Sequence, residues 1–215
     1  MKKTFFIAVL LISSVFCIAQ VKVGIFLGGQ ITSAKYTVKN KKQETANKYG
    51  FQLGTSLKVP FENKLYFAPA AFYSLKGYKV KFNQRTFPPD SLAIDNNTSI
   101  HTFELAALLQ YDFSNQPNHF FVKLGPSLDI QLSGKEKFNR KNNTQANQEM
   151  VFNFEKYGRY GANILLQLGY ETSNGLLLSA QYTHGIGSIN NADFGPRIWH
   201  RAYGVSIGKY LGKKK

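Results

Sequence analysis

Few side chains in this sequence are equipped for covalent chemistry. The histidines are His101, His119, His184 and His200, and the one cysteine is Cys17. Ester hydrolysis needs a serine nucleophile within hydrogen-bond reach of a histidine base. No histidine stands in a His-x-Ser or Asn-His-Ser arrangement, although His184 and His200 could approach each other near one rim of a barrel, with Ser188 close by. A rim-sited hydrolase of lipid A or phospholipid therefore stays open as one reading. The histidines lack metal-ligand spacing. Gly28-Gly29 and Gly185-x-Gly187 follow no phosphate-loop pattern with lysine and serine. No catalytic residue, metal ligand or cofactor site is assigned.

A second set of candidates is charged. Lys22, Lys58, Glu104, Lys123, Asp129, Arg159 and Glu171 all fall on the polar face of alternating segments. If those faces line a narrow interior, the charges must pair, because an unpaired buried charge is costly. The expectation is an ion-pair network that plugs a lumen, with Glu104 at its centre. A proton-linked or gating site is the alternative, and no specific pattern supports it.

Strands must position these residues. From Ile100 to Ser133 the chain reads as two strands joined by the turn Ser114-Asn115-Gln116-Pro117-Asn118. Phe103, Leu105, Ala107, Leu109 and Tyr111 share one face, while Thr102, Glu104, Ala106, Gln110 and Asp112 share the other, with Leu108 an exception. Phe120, Val122, Leu124, Leu128, Ile130 and Leu132 then alternate with Lys123, Gly125, Ser127, Asp129, Gln131 and Ser133. Period 2 puts the two sets on opposite faces of a sheet. Strands of about ten residues exceed the globular average of roughly five or six and suit a membrane span.

The same pattern recurs over Val21–Thr32, Tyr49–Pro60, Leu65–Phe82, Arg159–Thr172, Leu176–Ile189 and Trp199–Leu211, which gives eight strands. Their connections alternate long and short. Glu62-Asn63-Lys64 and Ser173-Asn174-Gly175 are tight turns, whereas 35–48, 83–99, 134–149 and 190–197 are long and mostly polar. The predicted fold class is all-β: an eight-stranded antiparallel up-and-down transmembrane β-barrel with short periplasmic turns and long extracellular loops. Open strand edges cannot be satisfied in lipid, so a spanning sheet must close. Tyr49, Phe51, Tyr66, Phe67, Tyr111, Phe113, Phe120, Phe121, Tyr170 and Trp199 cluster near strand ends, as interfacial belts do. Alternation does not distinguish inside from outside. A soluble periplasmic ligand-binding barrel of the lipocalin type, with its apolar face inward, remains the rival.

The N-terminus supplies context. Lys2 and Lys3, an apolar run from Phe5 to Ile12, and small residues leading to Ala19 form the three regions of a secretory signal peptide. The expected division is a cleaved signal over 1–19 and a barrel domain over 20–215. Cys17 lies within that leader, so the mature chain has no disulfide. Loss of Lys2 and Lys3 takes the formal charge from +15 to +13. An exported basic chain rarely meets nucleic acid, and none is expected as a partner. The charge suits outer-membrane lipid and lipopolysaccharide phosphates, or a protein partner at the extracellular loops.

Several segments resemble the PorT-like outer-membrane β-barrel family of Bacteroidetes. Pro69-Ala70-Ala71-Phe72-Tyr73-Ser74-Leu75-Lys76-Gly77 is similar to that family's Pro-Glu-Leu-x-Tyr-Ser-x-x-Gly segment. Phe103 to Tyr111 resembles its Leu-Glu-Ile-Pro-Leu-Leu-x-Lys-Tyr strand, Gly125-Pro126 its next Gly-Pro, and Leu176 to Ile189 its Leu-x-x-x-Tyr-x-x-Gly-Leu strand. Ala70 and Ala106 replace the family's glutamate and proline, and a basic tail replaces the usual terminal aromatic. The resemblance implies an eight-stranded outer-membrane barrel in the outer membrane of a Gram-negative bacterium. Some relatives serve secretion or gliding machinery, so a non-enzymatic structural or interaction role at the cell surface is expected.

Overall fold

The alternating segments do form long antiparallel strands, and the strands close on themselves. The computed structural model describes residues 21–211. The proposed leader and the Lys213-Lys214-Lys215 tail lie outside the described residues. Eight strands make the ring: β1 (Lys22–Val38), β2 (Lys48–Glu62), β3 (Leu65–Phe67 continuing as Ala70–Lys81), β4 (Asp95–Ala106 continuing as Leu109–Asp112), β5 (His119–Asn139), β6 (Tyr160–Glu171), β7 (Leu176–Gly185) and β8 (Arg197–Leu211). Each pairs antiparallel with the next, and β8 returns to pair with β1 from Val23↔Leu211 to Thr37↔Arg197. The interruptions in β3 and β4 leave the register unchanged. Pro69 has no amide hydrogen to donate there, and its carbonyl still accepts from Leu57 N at 2.8 Å.

Closure fixes the interior. Crossing the ladders from Gly24 through Ser56, Ala70, Ala106, Ser127, Asn163, Gly185 and His200 returns to β1 at Ala34, ten residues further on. Eight strands with a stagger of this kind tilt by roughly 35–45° and leave an interior just wide enough for side chains to fill. Turns of Glu62–Leu65, Asp112–His119 and Glu171–Leu176 close one end. In the last of these Gly175 takes φ 74°, which favours glycine.

The apolar face points outward. Leu27, Leu53, Leu109, Leu124, Leu168, Leu178 and Val205 are all exposed around the circumference. Gln30, Gln52, Ser74, Thr102, Gln131 and Ser206 are buried inside. This is the reverse of a lipocalin, so the soluble ligand-binding alternative is overturned by the direction of the side chains.

Two expected loops, 35–48 and 134–149, are largely strand, and 83–99 is strand over its last five residues. β1 runs on to Val38, β4 begins at Asp95 and β5 reaches Asn139. Glu44–Ala46 pairs with the end of β3, and Gln145–Glu149 pairs with the end of β5. The ladder thus extends beyond the apolar band, and its polarity reverses there. Ala34, Tyr36, Val38, Tyr78, Val80, Ile100 and Ile198 face inward and pack with Met150, Tyr157 and Ile189 from the covering segments. Lys35, Lys79, Lys81, Lys135 and Lys137 face water. β7, by contrast, stops at Gly185, short of the expected Ile189.

Candidate functional site

Inside the apolar band the polar side chains gather into two charge clusters. The lower one lies at the end with short turns. Lys22 and Lys58 stand directly opposite each other on β1 and β2, an unfavourable pairing of like charges. Glu171 reaches across from β6 and bridges them, with Oε1 2.9 Å from Lys22 Nζ and Oε2 2.7 Å from Lys58 Nζ. Lys58 also donates to Asp112 Oδ2 at 2.6 Å, and Gln110 Nε2 donates to Asp112 Oδ1 at 2.6 Å. His119 Nε2 lies 3.0 Å from Asp112 Oδ2 and 3.4 Å from Glu171 Oε2. The Lys58 ammonium lies 4.4 Å from the centre of the Tyr66 ring, a favourable cation–π contact.

The upper cluster is the mirror case. Glu104 and Asp129 are cross-strand neighbours on β4 and β5, and Lys76 bridges them. Its Nζ is 2.7 Å from Glu104 Oε1 and 2.9 Å from Asp129 Oδ2. Between the clusters, Phe26 packs edge-on against Phe72 with centroids 5.6 Å apart, and Ala68, Leu108 and Leu165 complete the contact. A cavity of about 30 Å³ adjoins this packing, beside Lys123 and Gln167. That is the space of about one water molecule.

Six of the seven residues singled out in the sequence belong to this interior. Lys22 does so at its rim, with its side chain 54% exposed. Lys123 is buried but pairs with no carboxylate among the described residues; its ammonium stands 5.0 Å from the Phe121 ring centre. Arg159 lies outside the lumen and is exposed, its Nη2 3.5 Å from Phe152 O. The alternation that predicts it inward applies only within the ladder, and β6 begins one residue later, at Tyr160. Glu104 is not the common centre either, since it belongs to the upper cluster and Lys58 gathers the lower one.

Lys76, Asp112 and His119 are the members that sequence reasoning missed. Lys76 shares the parity of Ser74 and Tyr78, both buried, whereas Lys79 and Lys81 have the opposite parity. That difference was available in the sequence. Asp112, His119 and Glu171 also offer donor atoms within 4.8 Å of one another. They come from three strands, which explains why spacing gave no hint. Lys58 already lies between the two carboxylates, so the position a metal ion would take holds an ammonium.

The interior is balanced in charge. Lys22, Lys58, Lys76 and Lys123 are matched by Glu104, Asp112, Asp129 and Glu171. Nothing in that set resembles a nucleophile with its base. At the outer rim, His184 Nδ1 is hydrogen-bonded to Tyr182 OH at 2.9 Å, on the outward parity of β7. His200 faces inward against Tyr78, with ring centroids 5.5 Å apart. Ser188 Oγ is engaged in its own turn, accepting from Ile198 N at 3.0 Å. The sheet therefore stands between the two histidines of the imagined hydrolase.

A closed ring with an apolar exterior and a filled, polar interior is a membrane barrel, and the family comparison agrees. The profile described as outer membrane protein beta-barrel domain matches residues 18–191. The chain belongs to this family. It is an outer-membrane protein, with its short turns periplasmic and its long segments extracellular. Among solved structures, Ail of Yersinia pestis, in complex with the heparin analogue sucrose octasulfate, is 12% identical, with 88% of this chain and 99% of that one covered and a TM-score of 0.45. OprG of Pseudomonas aeruginosa is 15% identical over 89% and 97%, with a TM-score of 0.45. The neisserial surface protein NspA is 13% identical over 87% and 97%, with a TM-score of 0.42. A search of curated proteins found no match.

Proposed function

We propose that this barrel is closed to solutes and works without catalysis at the cell surface, through its basic extracellular face. The observation that carries the reading is the filled lumen. Two charge clusters and an aromatic contact occupy the membrane band, and the apolar cap seals the outer end. Passage of a solute would separate buried ion pairs, at a cost of several kcal/mol for each charge left buried without its partner. What is left to offer a partner is the outside, where Lys39, Lys41, Lys42, Lys79, Lys81, Lys135 and Lys137 are exposed. Lipopolysaccharide, outer-membrane lipid or a protein partner would meet that surface first. The strand motifs around Pro69–Gly77 and Phe103–Tyr111 favour a PorT-like relationship within the wider family, and residues 1–19 would be removed on export.

The purified mature chain, folded in a planar bilayer, tests this reading. Folding is checked by the change in gel mobility between unheated and boiled samples. The expected result is a heat-dependent shift with no steady conductance. Long-lived conducting steps from the folded form would overturn the closed-lumen reading.

A further inference from the structure

The outer extension carries its charges in rows, and one row is left uncompensated. Glu44–Ala46, the ends of β3, β4 and β5, and Gln145–Glu149 form a small sheet above the apolar band. In its highest row Lys81 stands between Glu44 and Asp95. In its lowest row Lys135 is opposite Glu149. The row between runs Ala46, Lys79, Asn97, Lys137, Asn147 and contains no carboxylate. Neighbouring strands are about 4.8 Å apart, so Lys79 and Lys137 flank Asn97 at a separation that their side chains can close.

A third lysine is directed to the same place. Lys48 Nζ donates to Asn97 Oδ1 at 2.7 Å, Ser99 Oγ at 2.6 Å and Thr98 O at 3.0 Å. Gly77 makes this possible, because a Cβ there would lie 2.8 Å from Lys48 Cδ and 2.3 Å from Thr98 O. With its carbonyl oxygen committed to Lys48, Asn97 has its amide hydrogens left to give. Burial foremost, then Lys79 and Lys137, lowers the pKa of Lys48 from the ordinary lysine value, as expected where cations crowd without a counter-charge. None of the three lysines forms an ion pair among the described residues. Lys79, Lys137 and Asn97 line a groove of about 650 Å³.

Height identifies the occupant. Asn97 lies four residues above His101, which with Tyr73, Phe51 and the 84%-exposed Tyr49 ends the outward aromatic belt on these strands. Belts of this kind mark the edge of the hydrocarbon, and polar headgroups begin immediately above them. Lysine stems reach several ångströms from their backbone toward that level.

We propose that Lys79, Lys137 and the amide of Asn97, which Lys48 holds in place and backs with its charge, bind a phosphate of an outer-leaflet lipid headgroup. The assignment rests on the reading of the basic surface as the interacting one and narrows it to a single site.

The test uses the folded mature chain in zwitterionic detergent, with diphosphoryl lipid A as probe and native mass spectrometry as readout. Dephosphorylated lipid A, inorganic phosphate and a heparin fragment are the comparison ligands. The site variant is Lys48→Gln/Lys79→Gln/Lys137→Gln, and Lys39→Gln/Lys41→Gln/Lys42→Gln removes the same charge elsewhere. The expected result is a loss of about tenfold or more in lipid A binding for the site variant, and for dephosphorylated lipid A on the wild type, with the control variant close to wild type. Equal loss in both variants would overturn the site while leaving the basic-surface reading intact. Inorganic phosphate or heparin bound as tightly as lipid A would overturn the lipid assignment. Wild-type binding that is indifferent to the phosphates would overturn both. If the triple variant does not fold, Lys79→Gln and Lys137→Gln alone, at exposed side chains, are each expected to weaken binding by about threefold.

Discussion

The same strands build two opposite interiors. In the membrane band, β1 turns Gln30 and Thr32 inward and Leu27 and Ile31 outward. A few residues later it turns Tyr36 and Val38 inward and Lys35 outward. β3 does likewise, with Ser74 and Lys76 inside the band and Tyr78 and Val80 inside the cap. The backbone ladder does not register the change. Only the solvent does, because lipid rewards an apolar outside and water an apolar inside. Hydrogen bonds and ion pairs fill the band where apolar burial gives little, and hydrophobic burial fills the cap. The two halves should therefore respond differently to the same kind of damage.

The largest effect is expected from breaking an ion pair in the band. Lys76→Ala leaves Glu104 and Asp129 facing each other without a cation. Removal of one partner from a buried ion cluster costs roughly 3–5 kcal/mol. The variant should lose its heat-modifiable gel form at a distinctly lower temperature, or fail to reach it. Lys76→Met with Glu104→Gln and Asp129→Asn removes all three charges and should recover much of the loss. If the single variant is as stable as the wild type, the charges in the band do not hold it together.

A somewhat smaller and more local effect is expected in the cap. Ile198 is fully buried among Tyr36, Tyr78, Met150 and Ile189. Ile198→Ala should cost roughly 2–5 kcal/mol through lost contacts and a cavity. The damage should appear as faster proteolysis around 150–158 while the membrane band keeps its heat-dependent mobility. Leu53→Ala on the lipid face should be much milder, because lipid tails replace the lost methyls and no hydrophobic force is forfeited there. A Leu53 variant as damaged as the Ile198 variant would erase the distinction between the two regions.

The sequence made the band legible and hid the cap. Strict alternation over Phe103–Tyr111 and Phe120–Leu132 needed only period 2, and even the exception Leu108 keeps its inward place, packed with Phe72 and Leu165. The cap failed the same test because its outward residues are lysine, asparagine and serine, which read as loop. One further feature was unreadable. β5 carries a bulge at Leu132, where the register with β4 shifts between His101 and Thr102. Before it, Lys123, Ser127, Asp129 and Gln131 point inward; after it, Gly134, Glu136 and Phe138 do. An extra residue reverses every later side chain. Glu136 accordingly falls in the stretch 134–149 that reads as a polar connection, and it is buried in the cap. The ion pairs were half legible, since parity finds who faces inward but not which strands meet across the lumen.

Glu136 gives the smallest and most discriminating prediction. It accepts hydrogen bonds from Asn96 Nδ2 at 2.6 Å, Tyr157 OH at 2.7 Å and Gln148 Nε2 at 3.0 Å, and no cation pairs with it among the described residues. Burial, the largest influence, raises its carboxyl pKa above the ordinary value, and those three hydrogen bonds oppose the rise. A raised folded pKa means that protonation favours the folded cap. The stabilisation is complete below the unfolded carboxyl pKa of about 4.3 and is lost as pH rises through the folded value. Acidification from pH 7 should thus tighten the cap, seen as slower amide exchange over 145–158. Tyr36, Tyr78 and Tyr157 surround Glu136 but titrate far above this range. His200, packed on Tyr78, is controlled by His200→Gln. Glu136→Gln should abolish the pH response of the cap. If the cap loosens on acidification in the wild type, the carboxyl is ionised in the fold and the contrast between the two interiors is weaker than their side chains imply.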